Sequence, residues 1–158
     1  MGNITLSAAT TEHAKVLVTE MRKLDVQEVI ASSGPDVLAS TLLGLRVSHQ
    51  PVAAHTPDGL LCLFGIAPYS IMGDTASPWC LGTDRMSDLH TAAEFLGIAA
   101  NFFAWARERY PKLINHVDAR NKPSIRWLAR LGCTIDEPAP FGVAGLPFHR
   151  FHMGLDNV

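Results

Sequence analysis

The sequence predicts a single-domain α/β fold, a mixed and mostly antiparallel sheet flanked by helices on both faces. Three observations lead there. The chain of 158 residues is 47% hydrophobic and 18% charged, the length of one domain and the composition of a packed core. Its periodic segments run strand, two helices, three strands, long helix, strand, short helix, strand, an order that implies layered α/β architecture. Pro57-Asp58-Gly59 between two apolar runs marks a hairpin, so one side of the sheet is antiparallel.

Each element has its own signal. Asn3 to Ser7 alternates polar and apolar, as a short strand does. Thr10 to His13 reads as a helix start. Val16, Leu17, Met21, Leu24, Val29 and Ile30 continue at helical spacing until Ser32-Ser33-Gly34-Pro35 stops the run. Asp36 to Val47 fits a second helix. His49 to Thr56 and Leu60 to Ala67 are the hairpin strands, and Ser77 to Thr83 is the next strand. Leu89 to Tyr110, apolar around most of its circumference, predicts a long buried helix. Leu113 to Ala119 reads as a strand bounded by Pro111 and Asn121-Lys122-Pro123. Ile125, Leu128 and Leu131 then give a short helix with Pro123 in its first turn and Gly132 as its left-handed stop. Pro138 to Pro147 is one turn-rich loop, long enough to be functional. Phe148 to Leu155 closes the chain as a strand.

Charge and cysteine usage narrow the function classes. A net charge of -2 argues against a general nucleic-acid binder. Basic residues concentrate between Arg107 and Arg150, which suits a local anion site. Cys62, Cys80 and Cys133 show no paired spacing, and a thiol in an apolar run is usually a small buried hydrophobe, so a reduced, cytoplasmic setting is expected. The N-terminus shows no basic leader and no long apolar segment, so no secretion signal is expected. His149 and His152 lie three apart in a strand and point to opposite faces, which disfavours a shared metal.

The segment NHVDARNKPSIRWLARLGC, Asn115 to Cys133, carries the most information. A strand ending at an asparagine and followed by a short glycine-capped helix resembles the GNAT-type N-acetyltransferase fold, and the element order resembles it across the whole chain. The motif positions are Asn121, Ser124, Ile125, Leu128, Gly132 and Cys133; Leu128 and Cys133 stand where that family commonly has tyrosine and phenylalanine. PWCLGTDRM, NHVDARNKPSIRWLARLG and PAPFGVAGLPFHRF, in that order, resemble the internal virion protein and acetyltransferase family of short-tailed bacteriophages. The resemblance implies a phage or prophage origin, a GNAT-like fold, host cytoplasm or virion as location, acetyl-CoA as co-substrate and an amine as acceptor.

Acyl transfer from acetyl-CoA sets three requirements. A turn feeding the long helix must cradle pyrophosphate; Leu81, Gly82, Thr83 and Arg85 occupy it, beside Asp84 and Asp88, which serve equally to cap that helix. A splayed strand pair must admit the pantetheine arm, and the strands at Ser77 to Thr83 and Leu113 to Ala119 would form it. Asn121 and Ser124 are its candidate contacts, Asn121 serving equally as a turn residue before proline. Lys122, Arg126 and Arg130 share one helical face that either meets phosphates or stands in solvent. A base must take the amine's proton: His116 and Asp118 alternate onto one face of their strand, with Asp84, His149 and His152 as further candidates. The two N-terminal helices and the proline-rich loop are expected to line an acceptor groove.

Three functions are consistent with these residues. The first is an N-acetyltransferase acting on a host or phage protein or on a small amine. The second is a catalytically inactive protein of this fold in virion assembly or host binding, and the third a module that binds CoA without turnover. A homodimer is compatible with each.

Overall fold

A computed structural model describes residues 2–155. The strands are β1 (Thr5–Ala8), β2 (His49–Thr56), β3 (Gly59–Pro68), β4 (Thr75–Gly82), β5 (Lys112–Asp118), β6 (Thr134–Ile135), β7 (Ala139–Phe141) and β8 (Leu146–Met153). The helices are α1 (Thr11–Glu20), α2 (Lys23–Ser33), α3 (Val37–Val47), α4 (Leu89–Arg109) and α5 (Lys122–Arg130). One sheet in the order β1-β2-β3-β4-β5-β8-β6, with β7 on β8, is antiparallel everywhere except at β4–β5. This is the mixed, mostly antiparallel sheet that the sequence predicts.

The helices divide between its faces. α1, α2 and α3 bury Leu17, Val26 and Leu42 against Ala53, Leu63, Trp79 and Leu81. On the other face, α4 and α5 pack Phe95, Phe103 and Leu128 against Phe64, Leu113, Val117 and Phe151. Among the described residues no helix is long and apolar enough to cross a membrane.

Four readings of the sequence are corrected. The helical run from Thr10 to Ser33 is two helices, because Met21 turns extended (φ -61°, ψ 138°) and bridges Thr83, while the Arg22 amide donates to Gly82 O at 2.9 Å. The interruption seats the start of α2 on the end of β4. The long helix α4 is buried only along Phe95, Ala99, Phe103 and Ala106; Leu89 and Trp105 face solvent. The turn-rich loop contains β7, and Gly142 and Gly145 (φ 77° and 65°) turn it back into β8. The last strand ends at Met153, where Gly154 takes φ 79°.

The Asn115 to Cys133 motif folds as its residues direct. β5 leads through Asn121 into α5, Pro123 occupies the first turn, and Gly132 at φ 94° ends the helix, with the Cys133 amide bonded to Leu128 O at 3.1 Å.

Candidate active site

The two central strands separate. β4 and β5 pair only at Thr75–Lys112 and Ala76–Leu113, at their first residues, and diverge beyond. Side chains span the opening gap: Ser77 Oγ donates to Ile114 O (2.7 Å) and Asn115 Nδ2 donates to Pro78 O (2.7 Å). Asn115 Oδ1 also accepts from the His116 amide at 2.8 Å. Pro78 explains why a proline sits in a central strand. The N and C=O of one strand residue point to the same side, and here that side is the gap, where no ladder bond is lost. A proline at this point of a central strand is a local mark of the missing ladder partner.

The gap opens into a cavity of roughly 340 Å³ lined from both faces of the sheet. Arg22, Glu28, Trp79 and Leu81 bound it on the side of α1 to α3; Phe95, Trp127, Leu128, Arg126 and Arg130 bound it on the side of α4 and α5. Cys80, Asn115 and His116 lie between. Phe95 and Trp127 stack with centroids 5.7 Å apart and planes 6° from parallel. Trp79 is fixed by a 2.6 Å hydrogen bond from Nε1 to Ser48 Oγ and by Gly65, where a Cβ would lie 3.1 Å from that nitrogen.

α2 closes the wide end of the gap with two carboxylates. Asp25 Oδ2 accepts the Gly82 amide at 2.7 Å, and Glu28 Oε1 accepts the Asp118 amide at 2.8 Å. Asn121, 1% exposed, lies between them with Nδ2 at 3.4 Å from Asp25 Oδ1 and 3.5 Å from Glu28 Oε1. Arg22 neutralises Asp25, donating from Nε (3.2 Å) and Nη2 (2.8 Å), and its Nη2 also reaches Ser124 Oγ at 3.3 Å. Among the described residues no cation is ion-paired with Glu28. Burial pushes its carboxyl up to about 7, the Asp25 charge adds to the rise, and the Asp118 amide offsets only part of it. Nothing in the local sequence of α2 marks Glu28; its surroundings come from β5 and Asn121, about ninety residues away.

Of the residues singled out from sequence, Leu81, His116, Ser124, Arg126 and Arg130 line the cavity. Gly82, Thr83, Arg85, Asp118 and Asn121 do not. Gly82 serves Asp25, and the Thr83 hydroxyl, fully buried, donates to Leu60 O and Leu61 O at 2.9 and 3.0 Å. Arg85 pairs with Glu20 at 3.0 Å on the far side of the turn. Asp88 caps α4, accepting the Thr91 amide at 2.8 Å.

The two base candidates of β5 differ. Burial, then Arg150, holds His116 below its ordinary pKa, and Phe141 stacks on its ring at 3.8 Å. Burial would raise the Asp118 carboxyl, but Arg120, bonded to it at 2.6 to 3.2 Å, keeps it below the usual carboxylate range. Asp118 is therefore an ion-paired anion. His149 and His152 meet Asp136 separately, at its carbonyl (2.8 Å) and its carboxylate (3.1 Å). Among the described residues no group of three or more acidic, histidine or cysteine side chains suits a metal. The three cysteines are free, and burial raises the thiols of Cys62 and Cys133.

No family model matches the chain, and no curated protein matches it in sequence. Solved structures do. A chimera of Vibrio cholerae spermidine N-acetyltransferase SpeG and hSSAT superposes with TM-score 0.68 at 10% identity, covering 96% of this chain and 95% of that one. The V. cholerae spermidine N-acetyltransferase in complex with CoA and spermine gives 0.66 at 10% identity, over 96% and 95%. YncA from Salmonella typhimurium, with its cofactor acetyl-CoA, gives 0.64 at 12% identity, over 99% and 96%. The chain thus has the GNAT fold, matched over 96% of its length.

Proposed function

We propose that this protein moves an acetyl group from acetyl-CoA to the nitrogen of an amine, with Glu28 as general base. One observation carries the reading: a carboxyl with a pKa of about 7 faces a cavity that passes through the sheet at a splayed strand pair. A base poised near neutral pH combines basicity with the ionised form needed to take a proton. Arg126 and Arg130 on α5 suit the phosphates of acetyl-CoA, and the unpaired β4 edge at Cys80 suits its amide-bearing arm.

Acetyl-CoA supplies the thioester. Glu28 takes one proton from the ammonium of the acceptor. The freed nitrogen bonds to the acetyl carbon as the carbon–sulfur bond breaks, and the second nitrogen proton goes to the departing sulfur. Leu128, at the position of the family tyrosine, offers no acid there, so this last transfer is direct. Asn121 acts by bracing Asp25 and Glu28 rather than by touching the arm, and His116 acts as a neutral wall of the acceptor side. The resemblance to short-tailed phage proteins supports a phage origin, action in the host cytoplasm or virion, and a small amine or a host or phage protein as acceptor.

A second reading, a non-catalytic protein of this fold in virion assembly or host binding, is favoured by one feature. The pyrophosphate turn has its groups already engaged, the Gly82 amide by Asp25 of α2, the Thr83 hydroxyl by Leu61 O of β3, and the α4 terminus by Asp88. Purified protein incubated with acetyl-CoA and amines separates the two: product and free CoA thiol in equal amounts support transfer, and their absence across all amine classes supports the second reading.

A further inference from the structure

Three buried side-chain polar atoms have no hydrogen-bond partner among the described residues: Asn121 Oδ1, Trp127 Nε1 and His152 Nδ1. Of these three residues only Trp127 lines the cavity. Neighbouring donors in the cavity wall are engaged, Trp79 Nε1 by Ser48 Oγ at 2.6 Å and Asn115 Nδ2 by Pro78 O at 2.7 Å. Two indoles therefore line one cavity, and one of them keeps its donor unused. An N–H buried without an acceptor is costly, so a partner brought by a ligand would relieve that cost on binding. The indole of Trp127 stacks on Phe95 with planes 6° from parallel, and turning the donor out to water would break the stack. Trp127 also packs in one apolar cluster with Phe95, Phe102 and Leu131. That company suits a neutral acceptor, because a phosphate there would lose its water among apolar groups.

We infer that Trp127 is a binding residue for the acyl donor, its Nε1–H donating to an amide carbonyl of the pantetheine arm. The inference rests on the acetyl-transfer reading and adds a contact to it. Arg126 and Arg130, one residue before Trp127 and three after it, take the phosphates. Trp127 takes the arm that leads from them to the gap between β4 and β5. A side chain of α5 thus supplies a donor that the turn before α4 does not offer, since the Gly82 amide is held by Asp25 and the Thr83 hydroxyl by Leu60 O.

The test is calorimetry of the wild-type protein and of Trp127→Phe, each with acetyl-CoA and with 3′,5′-ADP, which carries nucleotide and phosphates but no arm. Trp127→Phe is expected to raise Kd for acetyl-CoA roughly tenfold, the scale of one hydrogen bond to a buried donor, and to leave Kd for 3′,5′-ADP unchanged. Equal acetyl-CoA affinity in the two proteins overturns the inference. An equal loss for both ligands overturns it as well, because it marks a structural role; either result leaves acetyl transfer intact. Failure of the wild-type protein to bind acetyl-CoA removes the acetyl-transfer reading, and this inference with it. Nuclear magnetic resonance gives a second readout on the wild-type protein, whose three tryptophans give three indole N–H signals. Saturating acetyl-CoA is expected to move the Trp127 indole proton downfield, while 3′,5′-ADP leaves it in place. An unmoved signal overturns the inference, and this measurement decides should Trp127→Phe fail to fold or 3′,5′-ADP bind too weakly to compare.

Discussion

Asp25 and Glu28 stand one helical turn apart on α2 and grip opposite lips of the sheet, Asp25 taking the last amide of β4 and Glu28 the last amide of β5. One helix thus closes the end of the gap and sets a carboxyl inside it. Arg22 neutralises one of the two carboxylates and leaves the other to titrate near neutral pH.

Glu28→Gln keeps an oxygen for the Asp118 amide and removes the base. Its kcat is expected to fall roughly 100- to 1,000-fold. Wild-type activity is expected to rise with pH through about 7 and then level, and the variant to lose that step. A pH–rate profile of the variant that still rises near 7 would place the base elsewhere.

The same carboxyl shapes stability. Its folded pKa of about 7 lies above the ordinary 4.5, so the folded state holds this proton more tightly than the unfolded state does. The contribution of Glu28 is most favourable below pH 4.5 and is lost as pH rises through about 7. Glu28→Gln should therefore be more stable than wild type at pH 8, by on the order of 2 kcal/mol, with the difference closing toward pH 5. Urea titrations at the two pH values measure it; equal stabilities at pH 8 would mean that Glu28 is not shifted.

The hairpin between β7 and β8 secures α2 from its other end. Val143 and Ala144 amides bond Ser32 O and Ala31 O, the free carbonyls at the α2 C-terminus, at 3.2 and 3.1 Å. Gly142 permits this approach: a Cβ there would lie 2.6 Å from Ser32 Cα and 2.8 Å from Ala31 O, at φ 77°. Gly142→Ala should cost about 2–4 kcal/mol. Gly145→Ala, with equally positive φ but open space around it, should cost only about 1 kcal/mol. Equal losses in thermal melts would show that the seat on α2 contributes nothing.

Asn115 holds the gap at its narrow end. Asn115→Ala leaves Pro78 O and the His116 amide without partners, at a cost of about 1–3 kcal/mol. Acetyl-CoA affinity should drop severalfold as the strands relax, and calorimetry showing unchanged affinity in a folded Asn115→Ala protein would remove this role.

How much of this was readable in the chain depends on how local each signal is. The β5–Asn121–α5 unit and the Gly59 hairpin were legible because a proline, a glycine and an apolar repeat fix them within a few residues. The break at Met21 was not, since its cause is a bridge to Thr83, sixty residues on, within an otherwise helical pattern. Glu28 looked like any helical glutamate, because burial against Asp118 and Asn121 is a property of the fold. His116 and Asp118 were recognised as titratable groups on one strand face. Their roles then diverged through Phe141 and Arg120, and a pattern of alternation cannot show such partners.

The gap between β4 and β5 is expected to receive acetyl-CoA beside a working base. Isothermal calorimetry with acetyl-CoA, followed by mass spectrometry of the amine reaction on the same protein, tests it most directly. One binding event per chain with micromolar affinity is expected, weakened by Arg126→Ala and Arg130→Ala, with acetylated amine that disappears in Glu28→Gln. No binding heat at millimolar acetyl-CoA would contradict it.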